Sequence, residues 1–174
     1  MSAAPRPAPP PVPVQGTELQ PAAQVAAPVR VAAPAVGIDI AVSPVGVLDS
    51  GVMELPPDVD IAGWYRFGAA PSSATGTTVL AAHVDSLTYG LGPFSRLKEL
   101  PVGSPITVTT ADGATRAYAL VSSERIAKRE IPLDAVFDRD GAPRLVLITC
   151  GGQFDHGTGH YLDNILVTAT PVAG

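Results

Sequence analysis

Short apolar runs alternate with turn signals along most of the chain after residue 36. Runs rich in Val, Ile, Leu and Thr and bounded by Gly, Pro or Asp are typical of β-strands. The most continuous run ends at Cys150 and is followed by Gly151-Gly152. The pattern predicts strands over 37–42, 77–83, 105–110, 115–122, 144–150 and 164–170, whereas 61–67 fits either a strand or a short helix.

Two local signals add turns and short helices to these strands. Asp112-Gly113 separates two β-prone runs, and Asp-Gly in this position is a strong hairpin signal. Phe94, Leu97 and Leu100 recur at every third position, which predicts one or two helical turns, and a further helical turn is expected within 130–135. Closely spaced strands with little helix predict a mainly all-β fold, either a closed barrel or a sandwich.

The first part of the chain has a different composition from the rest. Pro, Ala, Val and Gln dominate it, Pro9-Pro10-Pro11 lies within it, and neither a helical nor a strand period is visible. Such segments favour extended, solvated conformations, and this one lacks the apolar stretch of a signal peptide or membrane span. We predict a flexible spacer over 1–36 and one folded domain over 37–174; a tail without a role is the alternative.

Composition narrows the classes of function only slightly. The formal net charge is −5 and no basic stripe is present, so the sequence gives no electrostatic case for binding nucleic acid. Hydrophobic residues make up 46% of the chain, which is enough for a core, and 17 Gly with 19 Pro favour turns over helices. The single cysteine excludes an internal disulfide and leaves the redox compartment undecided.

Two candidate catalytic residues lie at the ends of predicted strands. Cys150 ends one predicted strand and His83 ends another. A thiol titrates near pH 8.5, so a neighbouring imidazole would be needed to activate Cys150 as a nucleophile. Alternatively, Cys150 is only a small buried hydrophobic residue, and His83 is a histidine of the core or its rim without a catalytic role. His156 and His160 lie in a Gly-rich loop, and the chain lacks paired metal-ligand spacings, so no metal site is expected.

Several motifs, in this order and spacing, resemble the sortases, cysteine transpeptidases of Gram-positive cell walls. Leu147-Ile148-Thr149-Cys150 matches the end of the family's Thr-Leu-x-Thr-Cys signature, and Leu80-Ala81-Ala82-His83 resembles its Ala-Gly-His. The resemblance covers about residues 37–172. Details similar to the class F sortases of actinobacteria are Gly63-Trp64-Tyr65, His83-Val84-Asp85-Ser86, Phe94-Ser95-Arg96-Leu97, Cys150-Gly151-Gly152-Gln153-Phe154-Asp155 and Tyr161-Leu162-Asp163-Asn164.

The resemblance implies a fold and a reaction. The fold would be a closed sortase-type β-barrel of about eight strands with one or two short helices. Cys150 would attack the Thr–Gly bond of a C-terminal Leu-Pro-x-Thr-Gly sorting signal, and His83 would act as the general acid and base. The resulting thioester would pass to an amino group of a cell-wall precursor, or to water.

The resemblance also implies the surroundings of the site. Thr149, Gly151 and Asp85 would border the substrate groove, with neither a cofactor nor a metal. The partners would be surface proteins that carry the sorting signal and a lipid II-like amine, not nucleic acid. The protein would work on the extracytoplasmic face of the membrane, which it would contact only through an anchor outside this chain.

One departure from the family concerns an arginine. Sortases use an arginine on the last strand to bind the substrate and stabilise the oxyanion, but this chain has no Arg or Lys after Arg144. Arg129, which precedes the Cys150 strand, is the residue that we expect in this role. Backbone amides are an alternative, as are three further arginines, Arg66, Arg96 and Arg125.

Three functions are therefore compatible with the sequence. The first is an active transpeptidase, the second is a cysteine hydrolase that transfers its acyl group to water, and the third is a binding module without catalysis. The missing arginine favours the third function, whereas the presence of both Cys150 and His83 argues against it. An added amine separates the first two, because only a transpeptidase forms an amide product.

Overall fold

The computed structural model describes residues 25–173, which form ten strands, one short α-helix and three 3₁₀ segments. The helix, α1, is Leu133–Val136, and the 3₁₀ segments are Pro34–Val36, Pro93–Glu99 and Lys128–Glu130. The strands are β1 Pro28–Ala33, β2 Ile38–Val45, β3 Ile61–Tyr65, β4 Thr77–Ala81, β5 Asp85–Ser86, β6 Gly90–Leu91, β7 Pro105–Thr110, β8 Thr115–Ala127, β9 Arg144–Asp155 and β10 His160–Pro171.

Eight of these strands close into a barrel in the order β1-β2-β3-β4-β9-β10-β8-β7. Neighbouring strands are antiparallel except for β2 with β3 and β4 with β9, which run parallel. The small β5–β6 hairpin lies outside the barrel sheet. The predicted closed barrel of about eight strands is confirmed and the sandwich is excluded, and the run 61–67 proves to contain strand β3.

Alternation along the central strands divides their side chains between the barrel interior and its outer face. Leu145 and Leu147 of β9 belong to the main core inside the barrel, together with Leu80 of β4. Val146 lies between them and packs in a second cluster with Val79 on the other face of the sheet. Burying each such side chain contributes about 1.5–3 kcal/mol. Apolar side chains therefore also lie on the outer face of the sheet at β4, β9 and β10. This face can form the floor of a cleft.

The first strand begins inside the segment that composition assigned to a spacer. β1 pairs with β2 and β7, and its Val31 and Ala33 are fully buried in the core. The predicted boundary at residue 36 thus falls within the barrel, because the abundant Pro and Ala hide the alternation of a short strand. Proline is tolerated at the first position of this strand, Pro28, because that position can do without a ladder donor. The remainder of the predicted spacer, 1–24, lies outside the described residues.

Short helical segments complete the fold. The predicted helical turns at 94–100 form the 3₁₀ segment Pro93–Glu99, whose Phe94 and Leu97 are fully buried against the main core. The Gly-rich loop predicted around His156 and His160 is shorter than expected, because β9 extends to Asp155 and β10 begins at His160 as an antiparallel hairpin. Among the described residues, no helix has the length and apolar character that crossing a bilayer requires.

Candidate active site

The parallel pairing of β4 with β9 brings together the strand ends near His83 and Cys150. Its register runs from Thr77 opposite Arg144 to Ala81 opposite Ile148, and the Ala82 amide donates to the Ile148 carbonyl over 3.1 Å. The pairing ends there, and His83 and Cys150 each lie two residues beyond its last pair, at neighbouring strand ends. Since neighbouring strands lie about 4.8 Å apart, the imidazole and the thiol come from adjacent backbone positions.

Both side chains lie on the outer face of the barrel. Cys150 is two residues from Ile148 and four from Val146, which pack in the outer cluster, and strand alternation gives all three the same direction. His83 and Cys150 line one cleft of about 750 Å³. The structure thus places the predicted nucleophile and the predicted acid–base residue in a single concave site.

Apolar side chains form most of the cleft walls. One wall comes from the β2–β3 connection, with Val47, Met53 and Leu55, and the other comes from the β8–β9 connection, with Leu133 and Phe137. Val47 and Met53 also form a β-bridge that shapes the first wall. An open apolar cleft that leads to a few polar groups suits an extended peptide with apolar side chains.

A buried hydrogen bond holds the two strand ends in register. Thr149 is buried, and its hydroxyl donates to the Ala82 carbonyl over 2.8 Å. This bond joins residues immediately before Cys150 and His83, although they are 67 positions apart in sequence. Thr149 thus lines the cleft, as do His83 and Cys150, and its hydroxyl also joins the strand ends that carry them.

Replacing Thr149 by valine tests this bond with little change in shape. Thr149→Val leaves the buried Ala82 carbonyl without its donor, so we expect a loss of about 1–3 kcal/mol in the free energy of unfolding. Urea denaturation measures the loss. Thr109→Val, at a half-buried strand position, is the control and should stay within about 0.5 kcal/mol of the parent protein. Equal stability of the two variants would show that the hydroxyl does not hold the strands.

The Cys150 thiol is in an environment that opposes ionisation. Burial raises its pKa above the ordinary value; the positive charge of Lys128 lowers it and the negative charge of Asp85 raises it. The thiol is thus mostly protonated at neutral pH, and a nearby base must accept its proton for it to act as a nucleophile.

The two other residues predicted to border the substrate groove are Asp85 on β5 and Gly151 on β9. Asp85 accepts a hydrogen bond of 2.5 Å from the Tyr161 hydroxyl, which joins the segment after His83 to strand β10. This bond and the Asp85 charge raise the pKa of Tyr161. Gly151 borders a second cavity of about 630 Å³, which Cys150 also lines. A Cβ at Gly151 would lie 2.8 Å from the Ile165 side chain, so a larger residue there would require Ile165 to move.

The structure does not bring Arg129 to the cleft. Arg129 is exposed in the turn Lys128–Glu130, and the preceding residue, Lys128, lines the cleft instead. Within residues 25–173, none of the alternative arginines lines it either. Arg66 stacks over Phe67 at 4.9 Å, Arg96 donates to the Gly37 carbonyl over 2.8 Å, and Arg125 pairs with Asp163 at 3.5 Å.

Among the polar cleft residues, the sequence analysis gave no role to Lys128 or Asn164. Lys128 lies next to Arg129, and only the shape of the turn decides which of the two faces the cleft. Asn164 carried a weak signal, because it begins the alternating run 164–170. Its position beside Cys150, however, depends on the pairing of β9 with β10.

Solved sortase structures share this fold. Sortase C2 of pilus island 1 from Group B Streptococcus is 22% identical, with a TM-score of 0.63 over 83% of this chain and 73% of that chain. Sortase A from Corynebacterium diphtheriae, a lid mutant, is 18% identical, with a TM-score of 0.64 over 84% and 70%. Sortase C-1 from Actinomyces oris is 20% identical, with a TM-score of 0.62 over 84% and 72%.

Similarity in sequence points to the same family as similarity in fold. No curated protein matches the chain significantly. The family model described as a sortase domain matches residues 31–172, from the middle of β1 to just beyond the end of β10. Because the match extends over most of the chain, the protein belongs to the sortase family, whose members are cysteine transpeptidases that anchor LPxTG-bearing proteins to the cell wall.

Proposed function

We propose that Cys150 is the nucleophile and His83 the general acid and base with which this sortase cleaves a Leu-Pro-x-Thr-Gly signal between Thr and Gly. The observation that carries the proposal is the parallel register of β4 and β9. It brings the ends of the two strands side by side just before His83 and Cys150, and both residues line the same cleft.

The proposed reaction has two halves with balanced proton transfers. In the first half, His83 holds the Cys150 proton, the sulfur attacks the threonine carbonyl carbon, and a C–S bond forms. The C–N bond to glycine then breaks as His83 protonates the leaving amine. In the second half, an amine attacks the thioester and gives its proton to His83, and the Cys150 sulfur leaves and recovers that proton.

The cleft supports a sorting signal as the substrate. Its apolar walls can bury the Leu and Pro side chains of the signal, which are the apolar part of that motif. His83, Cys150 and Asn164 lie together in the same cleft and can meet the Thr–Gly bond. An extended peptide would thus place its apolar residues along the walls and its scissile bond beside the sulfur.

Finer assignments belong to the same proposal. The motifs around Trp64, Asp85 and Phe154 resemble class F sortases, and we assign the chain to that class. We further propose that its partners are surface proteins with a C-terminal sorting signal and a lipid II-like amine acceptor. The domain would act on the extracytoplasmic face of the membrane.

A cleavage assay with and without amine tests the function. We expect the protein to cleave a quenched Leu-Pro-x-Thr-Gly peptide and to form an amide product, seen by mass spectrometry, when a triglycine amine is added. Only acid product in the presence of amine would identify a hydrolase. No cleavage at any pH, with retained peptide binding, would identify a binding module.

The charges near Cys150 give a pH prediction of known sign. Cys150 is the only cysteine, so the rate of alkylation by iodoacetamide reports its thiolate alone. Lys128→Ala removes a charge that lowers the pKa of Cys150, so the midpoint of the rate profile should move to higher pH. Asp85→Asn removes a charge that raises this pKa, so the midpoint should move to lower pH.

Arg129→Ala is the matched control for Lys128→Ala, since it removes the same charge one residue away and outside the cleft. It should leave the alkylation profile where it is. If the midpoint shifted more in Arg129→Ala than in Lys128→Ala, Arg129 rather than Lys128 would be the cation that acts on Cys150.

A further inference from the structure

Cys150 has a second polar neighbour, on the side away from His83. The antiparallel pairing of β9 with β10 sets Asn164 opposite Cys150, and the pairing of β10 with β8 sets Ile126 opposite Asn164. A single row across the outer face of the barrel therefore reads Cys150, Asn164, Ile126, and His83 lies on the other side of Cys150, two residues beyond the end of β4.

Strand alternation directs the Asn164 side chain into the cleft. Leu166, two residues along β10, packs in the outer cluster, and Ile126 packs against the same cluster. Asn164 itself is partly buried and lines the cleft. Its neighbour Asp163 is directed elsewhere: its carboxylate pairs with Arg125 and lies close to Gly152. Of these adjacent residues, only Asn164 presents its polar group beside the sulfur.

The chemistry of this position suits a peptide carbonyl. A carboxamide carries two N–H donors, and the surrounding walls are mostly apolar, with Ile148 and Phe137 among the lining residues. Once a bound peptide has displaced water from between these walls, a hydrogen bond there stabilises developing negative charge more than it would in bulk water. A neutral donor also avoids the large desolvation cost that a second cation would meet there.

We propose that the Asn164 side-chain amide donates a hydrogen bond to the carbonyl that Cys150 attacks and retains it while the oxygen becomes an oxyanion. This inference rests on the proposed function and assigns a further catalytic residue to it. His83 handles protons on one side of the sulfur, and Asn164 holds the carbonyl oxygen on the other.

The inference makes Asn164 important for turnover but not for the reactivity of the thiol. Asn164→Ala should lower kcat for peptide cleavage by about 10²–10³-fold with a smaller change in KM, because the bond strengthens as charge develops. Asn164→Asp keeps the shape but loses both donors and adds a negative charge, so its loss should be at least as large. The iodoacetamide alkylation rate of Cys150 in Asn164→Ala should equal that of the parent protein.

Thr168→Ala is the matched control. Thr168 lies on the same strand and, four residues on, has the same direction as Asn164, but it is not among the residues that line the cleft. It should retain near-parental kcat. Melting temperatures of all variants, measured by circular dichroism, identify any that fail to fold, and the alkylation rate reports the local structure of the site.

Each result decides the matter. If the parent protein cleaves the peptide and Asn164→Ala cleaves it equally well, the inference is overturned and the proposed function stands. A loss of kcat accompanied by a changed alkylation rate also overturns it, since Asn164 would then act through the structure around Cys150. If the parent protein itself does not cleave, the proposed function fails, and the role of Asn164 fails with it.

Discussion

Cys150→Ala should lower peptide cleavage by at least about 10³-fold and abolish the thioester, because no other cysteine exists in the chain to form one. The thioester can be trapped by acid quenching and detected as a mass increase on the parent protein. Cleavage by Cys150→Ala at a rate similar to that of the parent protein would refute covalent catalysis at this position.

The alanine variant also offers a clean view of binding. Cys150 is only partly buried, at the outer face of β9, and the Thr149–Ala82 hydrogen bond beside it does not involve the thiol. The fold and the apolar walls should thus survive the substitution. Binding of a labelled Leu-Pro-x-Thr-Gly peptide, measured by fluorescence anisotropy, should be retained although cleavage is lost.

His83→Ala should cost about 10²–10⁴-fold in kcat/KM, the usual contribution of a positioned acid–base residue. The loss arises twice, since the same imidazole takes the Cys150 proton and protonates the leaving amine. Burial raises the pKa of the thiol, so a thiol without its base would remain protonated over most of the neutral range. The measurement is kcat/KM across the neutral pH range, which should be lowered in His83→Ala at every pH tested.

A second histidine provides the control for this experiment. His160 also lines the cleft but lies at the start of β10, outside the row that contains Cys150. His160→Ala should therefore retain most of the activity. If His160→Ala lost more activity than His83→Ala, His160 would be the acid–base residue and the proposed mechanism would fail.

The sortase assignment and the site geometry support one another through the barrel. The family match covers residues 31–172, and the eight barrel strands lie almost entirely within that range. The order of strands brings β4 and β9 side by side although β5 to β8 intervene in sequence. This crossover makes a cysteine and a histidine from distant segments neighbours on one face.

Sequence alone determined the local elements of this protein. Alternation and apolar runs identified the strands that end near His83 and Cys150, and Asp112-Gly113 identified the hairpin between β7 and β8. These features were readable because strand period and turn chemistry are properties of neighbouring residues. The motifs that end in His83 and Cys150 also carried the family resemblance, which the family match later confirmed.

Only the tertiary structure decided how these elements meet. β1 lies in a Pro- and Ala-rich segment without a visible strand period, and its pairing with the adjacent β2 and the distant β7 makes it a strand. The choice of Lys128 over Arg129 depended on one turn, and the place of Asn164 beside Cys150 depended on the register of β9 with β10. Register is a relation between distant segments, and a one-residue shift would turn every side chain to the opposite face. No local pattern in the sequence encodes that relation, so only the folded barrel shows which residues line the cleft.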